Sequence, residues 1–358
     1  MVTKWQDEPV SLTTSTLISS SYKSPVGRLT LVASAQGLRA ILWPNDDPRR
    51  VPGVVGAKKG TNSIIETTVR QLDEYFAGTR HDFDVPLDPD GTEFQQSVWQ
   101  VLRSIPYGET MSYGEQATVL GDPNKARAVG TANGRNPISI VVPCHRVIGA
   151  NGSLTGFAGG MKAKKFLLDL EKKNAPARLP IRNGNEDPRL ADMFSKGLTG
   201  PNGDPLNIFG VLGNHPDMLK RWLVFATHVL SKNTLTARDR ELLILRTGWN
   251  CRSRYEWAQH VEIALRCDIT AAEIKAVKKG ASASTWSSID KLLLTAADEL
   301  HNEYALSAAT WRNLGEHYSN EQILDLIASV GNYHLVAMFL NSTKVPIDAG
   351  IPDDPDLL

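Results

Sequence analysis

The alternation of apolar and polar positions divides the chain into three blocks of different character. Residues 29–42 (LTLVASAQGLRAIL) alternate around Gly37, which predicts a β-hairpin. A helical period follows over residues 63–76 and ends before Gly78. A hairpin followed by a helix predicts a small α/β domain, which we assign to residues 1–90.

The second block, residues 91–172, opens with signals for helix starts. The segments TEFQ, from Thr92, and SYGE, from Ser112, both have the form of a capping box. The segment DPNKARAVGTANG then predicts a helix capped by Asp122 and ended by Gly134. Two short helices joined by Gly-Asp-Pro are the pattern of a helix-turn-helix, although other helical hairpins share it.

A cysteine stands in an unusual place in this block. The β-branched run ISIVV predicts a buried strand that ends at Pro143 and presents Cys144 beside a glycine-rich loop. A cysteine becomes a nucleophile as its thiolate, which requires a nearby base or positive charge. His145 and Arg146 follow directly, and Glu171 ends a predicted helix from which it could orient the histidine. The alternative is a buried core thiol beside a surface histidine.

Beyond this block the chain changes character. Residues 173–200 are rich in Pro, Asn, Arg and Asp without a sustained period, which predicts a linker. Residues 201–358 show helical periods and almost no strand signals, which predicts an all-α domain. The predicted helices cover residues 217–231, 237–249, 256–266, 271–278, 288–304, 309–318 and 321–340. The fold class we expect is therefore multidomain α+β.

The composition bears on the binding partners, the disulfides and the cellular location that we expect for the protein. The 358 residues carry 39 Lys+Arg and 39 Asp+Glu, so no global basic field indicates nucleic acid. Residues 92–172 do carry nine basic against six acidic residues, a local excess of 9 − 6 = +3. Three cysteines do not form a disulfide framework. The first twenty residues carry charges where a signal peptide needs an apolar core, so we expect a cytoplasmic or nuclear protein without a membrane partner.

The segment from Phe94 to Glu171 contains FQQSVWQVLRSIPYGETMSYGEQA, KARAVGTANGRNPISIVVPCHRV and a glycine-rich loop. It closely resembles the O6-alkylguanine-DNA alkyltransferases, and the similarity covers residues 22–171. The resemblance implies a ribonuclease H-like N-terminal domain and a helix-turn-helix (winged-helix) domain. It also implies irreversible transfer of an alkyl group from O6-alkylguanine or O4-alkylthymine in double-stranded DNA to a cysteine, without a cofactor.

The resemblance implies a role for each residue that matches the family's motif. Cys144 would accept the alkyl group, and His145 would act through a bound water as the base that forms the thiolate. Glu171 would orient His145, and Asn136 would hold the loop around the active strand. Tyr113 would donate a proton to the purine and crowd the phosphate, which favours rotation of the nucleotide.

The resemblance also implies how DNA is held. One arginine would fill the base stack after the base has left, and small side chains around it would let the helix approach the minor groove. The implied DNA contacts are Tyr113, Ala126, Arg127, Gly130, Thr131 and Arg135, and the implied base pocket is Phe157, Ala158 and Gly159. Phe157 and Ala158 stand where many relatives have Tyr-Ser, so hydroxyl donors to the guanine are lost. No cysteine precedes Cys144, so we expect no metal site.

The stretch DRELLILRTGWNCRSRYEWAQHVEIALRCDITAAEIKAV resembles the carboxymuconolactone decarboxylase and alkylhydroperoxidase D family, over residues 207–357. Redox members use Cys-x-x-Cys-x-x-x-His with a glutamate relay. Ser253 and Glu256 occupy the two cysteine positions here, so we expect no dithiol chemistry. Glu241, Glu256 and His260 remain as a candidate acid–base set or, equally, as a buried polar cluster. This half could also join chains into a homo-oligomer.

Three other hypotheses stay open at this point. The first is a cysteine hydrolase that uses Cys144, His145 and Glu171. The second is a module that binds DNA lesions without reacting with them. The third places the main activity in the C-terminal half and makes the first half a DNA tether.

Overall fold

The computed structural model describes residues 16–44, 46, 50, 51 and 53–357. The chain divides into two compact units, residues 1–175 and 176–358, and each is described by itself. We expected no signal peptide from the first twenty residues, and most of those residues lie outside the part of the chain that the structure describes. The boundaries drawn from the sequence remain predictions.

A four-stranded sheet and one helix form the N-terminal part of the first unit. The strands are β1 (Ile18–Ser24), β2 (Gly27–Ala33), β3 (Leu38–Leu42) and β4 (Lys58–Lys59), in the order β3-β2-β1-β4. β2 and β3 are the predicted antiparallel hairpin. Helix α1 spans Ser63–Phe76 as predicted and buries Ile65, Leu72 and Tyr75. Gly37 is required in the hairpin, because a Cβ there would lie 2.7 Å from the carbonyl oxygen of Pro86.

Four helices and a two-stranded pair complete this unit. They are α2 (Glu93–Ser104), β5 (Met111–Ser112), α3 (Tyr113–Val119), α4 (Ala126–Gly134), β6 (Val147–Ile148) and α5 (Gly160–Asn174). Both predicted capping boxes are present, at Thr92 and at Ser112. Asp122 caps a 3-10 turn at Pro123–Lys125, and α4 begins only after it, at Ala126. The consecutive helices α3 and α4 pack together, as a helix-turn-helix requires.

The predicted strand over ISIVV is wrong. The segment folds into a tight buried turn, in which Ile140 has a φ of +77° and the amide of Val142 donates to the Ile138 carbonyl at 2.8 Å. The side chain of Asn136 closes the turn, since its Nδ2 donates to the Val142 carbonyl at 2.7 Å. β-branched residues favour strands, but here burial against the sheet and this amide bridge decide the conformation. Cys144 is buried and opens a 3-10 turn at Cys144–Arg146. His145 is buried as well, whereas the alternative of a core thiol required a histidine at the surface.

The second unit is all-α, as predicted. Its helices are α6 (Pro188–Phe194), α7 (Asn207–Leu212), α8 (Pro216–Ser231), α9 (Ala237–Asn250), α10 (Arg254–Leu265), α11 (Ala271–Val277), α12 (Ser288–Glu303), α13 (Ala308–Gly315) and α14 (Asn320–Thr343). Helix α9 lies at the centre, packed against α10, α12 and α14. All seven predicted helices are present, and α6 and α7 add to them.

Helix α6 lies inside the stretch predicted as a linker. It starts with Pro188 after an Asp187 cap and buries Leu190, Met193 and Phe194. These side chains belong to the same apolar cluster as Ile208 on α7. Its seven residues make about two turns, too few to show a helical period in the sequence.

Helix α14 is long and apolar enough, by length and composition, to cross a membrane. Its most apolar window is 56% buried, and Leu326, Val330 and Leu340 pack inside the unit. Such burial is that of a core helix in a helical bundle.

Candidate active site around Cys144

Cys144 sits in an environment that keeps its thiol protonated. The residue is only 8% exposed. Burial raises the pKa of the Cys144 thiol, and the Asn136 side chain and the charges of Arg50 and Lys164 oppose this in part. A buried, protonated thiol is a weak nucleophile, so reaction at this sulfur needs a base.

His145 is a candidate for that base. Its Nε2 lies 2.8 Å from Oε1 of Glu171, and both side chains are fully buried. Burial lowers the pKa of His145, against the opposing charge of Glu171, so the imidazole is neutral at neutral pH. Its Nδ1 is buried and has no hydrogen-bond partner among the described residues. With the proton on Nε2, this second nitrogen can accept one from a neighbour.

Glu171 is the most firmly held group of the site. Arg146 donates to its carboxylate from Nε at 2.8 Å and from a terminal nitrogen at 3.0 Å, and the Tyr75 hydroxyl donates at 2.7 Å. The amide of Gly108 adds a bond of 3.1 Å. Burial alone would raise the pKa of Glu171, yet His145 and Arg146 hold it well below its usual range. The carboxylate therefore stays charged and fixes the histidine ring.

Several of these partners were missed by sequence reasoning. Arg146 was seen only as a positive charge beside the cysteine, whereas its guanidinium clamps Glu171. Tyr75 lies 96 residues before Glu171, and no local pattern links the two. Lys164 could have been found from its helical spacing, because it lies on the same buried helix face as Leu167 and Glu171. In the structure its Nζ donates to the carbonyls of residues 147 and 155 at 2.5 and 2.8 Å.

Asn136 and Arg50 brace the turn beneath the cysteine. Besides its bond to Val142, Asn136 accepts the amide of Ile138 on Oδ1 at 3.0 Å. Arg50 donates to the backbone carbonyls of Asn136 and of Ile41, the latter at 2.9 Å. The turn that carries Cys144 is thus tied to the edge strand β3.

The predicted base pocket is only partly assembled around the site. The Phe157 ring lies 5.3 Å from Trp43 and 6.3 Å from His145, both edge-on. Gly159 packs so closely on Trp43 that a Cβ would lie 2.7 Å from its ring. Ala158 is exposed. Trp43, which the sequence did not single out, packs against both Phe157 and Gly159.

The predicted DNA-contacting residues share one surface. Arg127, Thr131 and Arg135 are exposed along α4, and Ala126 and Gly130 are half-buried beside them. The Tyr113 ring contacts Gly130, where an added Cβ would lie 3.6 Å away. The Thr155 hydroxyl donates to Tyr113 at 3.3 Å. Tyr113 therefore lies between α4 and the glycine-rich loop that leads to Phe157.

The three candidate residues of the second unit also lie together. His260 Nδ1 is 2.7 Å from Glu241 Oε2, and Arg240 donates to the same carboxylate at 3.2 Å. Glu256 and His260 line a cavity of about 430 Å³ whose other walls are mainly apolar. Burial raises the pKa of Glu256 well above its usual value, and within the described part of the chain neither of its oxygens has a hydrogen-bond partner. The raised pKa favours the protonated, neutral form of Glu256, a residue that lines the cavity.

Comparisons with known proteins match this arrangement unit by unit. Residues 17–89 match the ribonuclease-like domain and residues 93–173 the DNA binding domain of 6-O-methylguanine DNA methyltransferase. Residues 216–299 match the carboxymuconolactone decarboxylase family. A methylated-DNA–protein-cysteine methyltransferase of Methanosarcina acetivorans is 49% identical over 150 residues, which are 42% of this chain and 95% of that protein.

Two solved structures are similar to the separate halves. The O6-methylguanine methyltransferase of Mycobacterium tuberculosis is 48% identical, with 45% of this chain and 96% of that chain covered and a TM-score of 0.41. An alkylhydroperoxidase AhpD core protein of Ralstonia eutropha is 17% identical, with 48% of this chain and 93% of that chain covered and a TM-score of 0.42.

The first unit is thus defined by a helix-turn-helix and a buried cysteine beside a fixed His–Glu pair. By its extensive match to relatives, the chain belongs to the methylated-DNA–protein-cysteine methyltransferase family. A carboxymuconolactone decarboxylase domain follows in the same chain.

Proposed function

We propose that the protein repairs DNA by moving an alkyl group from O6 of guanine, or O4 of thymine, to Cys144. The observation that carries this proposal is a buried Cys144 followed in the chain by His145, whose pKa burial lowers, whose Nε2 is held by Glu171 and whose Nδ1 has no hydrogen-bond partner among the described residues. A carbon–sulfur bond forms and the carbon–oxygen bond breaks. The product is a stable thioether, so each chain reacts once.

The proton movements follow from the same geometry. His145 takes the thiol proton, through a bound water, and the charged Glu171 stabilises the imidazolium that results. The leaving guanine gains negative charge as its bond to carbon breaks. We assign the compensating proton to the Tyr113 hydroxyl, which lies beside the glycine-rich loop. Tyr113 regains a proton from solvent as His145 releases its own, so the net change is that the thiol proton ends on guanine.

DNA engagement requires the base to leave the duplex, because O6 lies within the stack. We assign insertion into the vacated stack to Arg127, which is exposed in the first turn of α4. The small residues Ala126, Gly130 and Thr131 on this helix suit close approach to a minor groove. The local excess of +3 supports phosphate contacts that carry no sequence preference. A DNA substrate also agrees with the expected cytoplasmic or nuclear location.

The second unit supports a separate candidate function. Its cavity of about 430 Å³ is lined by Glu256, whose pKa burial raises, and by His260, which is paired with Glu241. This arrangement suits proton transfer to and from a mainly apolar organic substrate, as in a decarboxylation. We propose such acid–base chemistry here, and assembly of chains through these helices as a second role.

The repair proposal is tested by measuring how many lesions each protein chain repairs. The full-length protein is mixed with a duplex that contains O6-methylguanine, and restored guanine is measured against protein. We expect one lesion repaired per chain and no further turnover. Binding without repair would show a lesion-binding module, and many turnovers would show a true catalyst; either result overturns the proposal.

A further inference from the structure

Three side chains of the metal-ligand type meet in the second unit, apart from the Glu–His pair. Cys251 Sγ lies 3.9 Å from His301 Nδ1, and this nitrogen lies 2.9 Å from His334 Nε2. One ligand atom from each of the three residues lies within 4.8 Å of the others. The residues come from the end of α9, the last turn of α12 and the middle of α14.

These separations are close to those of a tetrahedral ion. Bonds of about 2.0–2.1 Å to nitrogen and about 2.3 Å to sulfur place two tetrahedral nitrogens about 3.3 Å apart, and a nitrogen and a sulfur about 3.6 Å apart. Two of the three observed distances, 2.9 and 3.9 Å, differ from these by only a few tenths of an ångström. The third pair, Cys251 and His334, lies within 4.8 Å and has to move closer together. Side-chain rotation alone can supply such a change.

The orientation of His334 favours a ligand role. Its Nδ1 lies 2.8 Å from the carbonyl oxygen of Val330, so this nitrogen carries the hydrogen and donates a hydrogen bond to that oxygen. The Nε2 of His334 therefore presents a lone pair to the other two residues. Metal-binding histidines are commonly fixed in this way by a backbone carbonyl.

The backbone around the cluster is tied in place. Asn250, next to Cys251, donates to Asp298 on α12 at 2.8 Å, one turn before the histidine of that helix. Asn341 on α14 donates to the carbonyl of Cys251 at 2.9 Å. Both neighbouring helices are thus bonded to the end of α9, so the three side chains need little rearrangement to converge on one ion.

We propose that Cys251, His301 and His334 bind one divalent transition-metal ion of the Zn²⁺ type, with the fourth tetrahedral position left to water. A thiolate and two imidazoles suit Zn²⁺ and disfavour Mg²⁺ or Ca²⁺, which prefer oxygen ligands. On binding, the Cys251 thiol loses its proton to solvent, and the hydrogen between the two rings moves to the other nitrogen of His301. The expectation of no metal came from the lack of cysteines before Cys144 and did not consider this grouping in space.

The test uses full-length protein treated with a chelator and then titrated with Co²⁺. We expect one Co²⁺ per chain, with sulfur-to-cobalt charge-transfer absorption and the strong visible bands of tetrahedral cobalt, both removed by Zn²⁺. Cys251→Ser abolishes the charge-transfer absorption, whereas the matched changes Cys267→Ser and Cys144→Ser retain it. His334→Gln weakens binding by more than about 100-fold, since loss of a mere supporting partner costs 10–100-fold.

The proposal is overturned if wild-type protein gives no charge-transfer absorption, or if the absorption survives Cys251→Ser. Circular dichroism of each variant shows whether its helices are intact. Should His334→Gln unfold, the wild-type titration and the three cysteine variants still decide the matter. Alkyl transfer is measured on the same metal-free protein and is expected to be unchanged, so failure of this site and failure of the repair proposal are distinguishable.

Discussion

Two glutamate–histidine pairs of nearly equal length lie in the two units, and their surroundings differ. The distance from Glu171 to His145 is 2.8 Å, and that from Glu241 to His260 is 2.7 Å. His145 of the first pair directly follows the buried Cys144 in the chain, and His260 of the second pair lines a cavity together with Glu256, whose pKa burial raises well above its usual value. The different chemistry that we propose for the two pairs therefore depends on the groups around each pair and not on the pair itself.

The two carboxylates also differ in how firmly they are held. Glu171 accepts bonds from a histidine, an arginine, a tyrosine and a backbone amide. For Glu241, a histidine and an arginine are the hydrogen-bond donors recorded within the described residues. A single-use site gains from such rigidity, because the histidine must stay neutral and oriented until the one reaction occurs.

The largest expected effect comes from removing the acceptor of the first site. Cys144→Ser should abolish alkyl transfer, since a serine hydroxyl beside a neutral imidazole is a far weaker nucleophile than a thiolate. The measurement is single-turnover repair of an O6-methylguanine duplex. Cys267→Ser is the matched control and should repair at the wild-type rate. Repair by Cys144→Ser would refute the assignment of the acceptor.

Glu171→Gln should affect both rate and stability. The change leaves the buried Arg146 without its charged partner, which lowers the free energy of unfolding by about 3–5 kcal/mol. Repair also slows, because an amide cannot stabilise the imidazolium of His145. Denaturant unfolding and single-turnover kinetics measure the two effects. Glu241→Gln, the equivalent change in the other pair, should leave the repair rate unaltered. If Glu171→Gln repaired DNA at the wild-type rate, the proposed role of Glu171 in orienting His145 would be contradicted.

Glu256→Gln should change how stability depends on pH. Because the folded-state pKa of Glu256 is raised, the folded protein holds a proton that the unfolded chain releases above its usual pKa of 4.5. This group therefore stabilises the fold less as pH rises above 4.5, by up to about 1.4 kcal/mol per pH unit. The variant should lose that part of the slope in unfolding experiments between pH 5 and 7. An unchanged slope would show that Glu256 is ionised in the folded unit.

The smallest expected effect is on the pH profile of repair. Burial lowers the pKa of His145 below its usual 6.5, so the neutral base persists to lower pH than a free histidine would. The repair rate should stay level as pH falls to about 6.5 and should decline only below it. The free energy of unfolding that neutral His145 contributes is also lost as pH falls below 6.5, because the unfolded chain binds the proton first. A decline centred above pH 6.5 would contradict a buried neutral base.

The sequence was sufficient where a signal is local. The capping boxes at Thr92 and Ser112, the hairpin around Gly37 and the helix over residues 63–76 all depend on neighbours within a few positions, and all are confirmed. The candidate residues of both sites carried motif spacing, and the structure pairs His145 with Glu171 and His260 with Glu241, whereas the predicted base pocket is only partly assembled. Their catalytic roles stay predictions.

The sequence was insufficient where long-range contacts decide the structure. β-branched residues over ISIVV indicate a strand, but a side-chain bridge from Asn136 holds a turn instead. Tyr75 and Arg50 reach the active site from elements far away in the chain, so no spacing could identify them. The group of Cys251, His301 and His334 was missed for the same reason, because three separate helices supply it.

The most direct test of the account is the mass of tryptic peptides after full-length protein has reacted with an O6-methylguanine duplex. We expect one added methyl group per chain, on the peptide that contains Cys144, and we expect this methyl group to remain on the peptide with time. The Glu256→Gln protein should give the same result. A methyl group found on Cys251 or Cys267, or absent from every cysteine, would contradict the central claim that Cys144 is the acceptor and that the second unit takes no part.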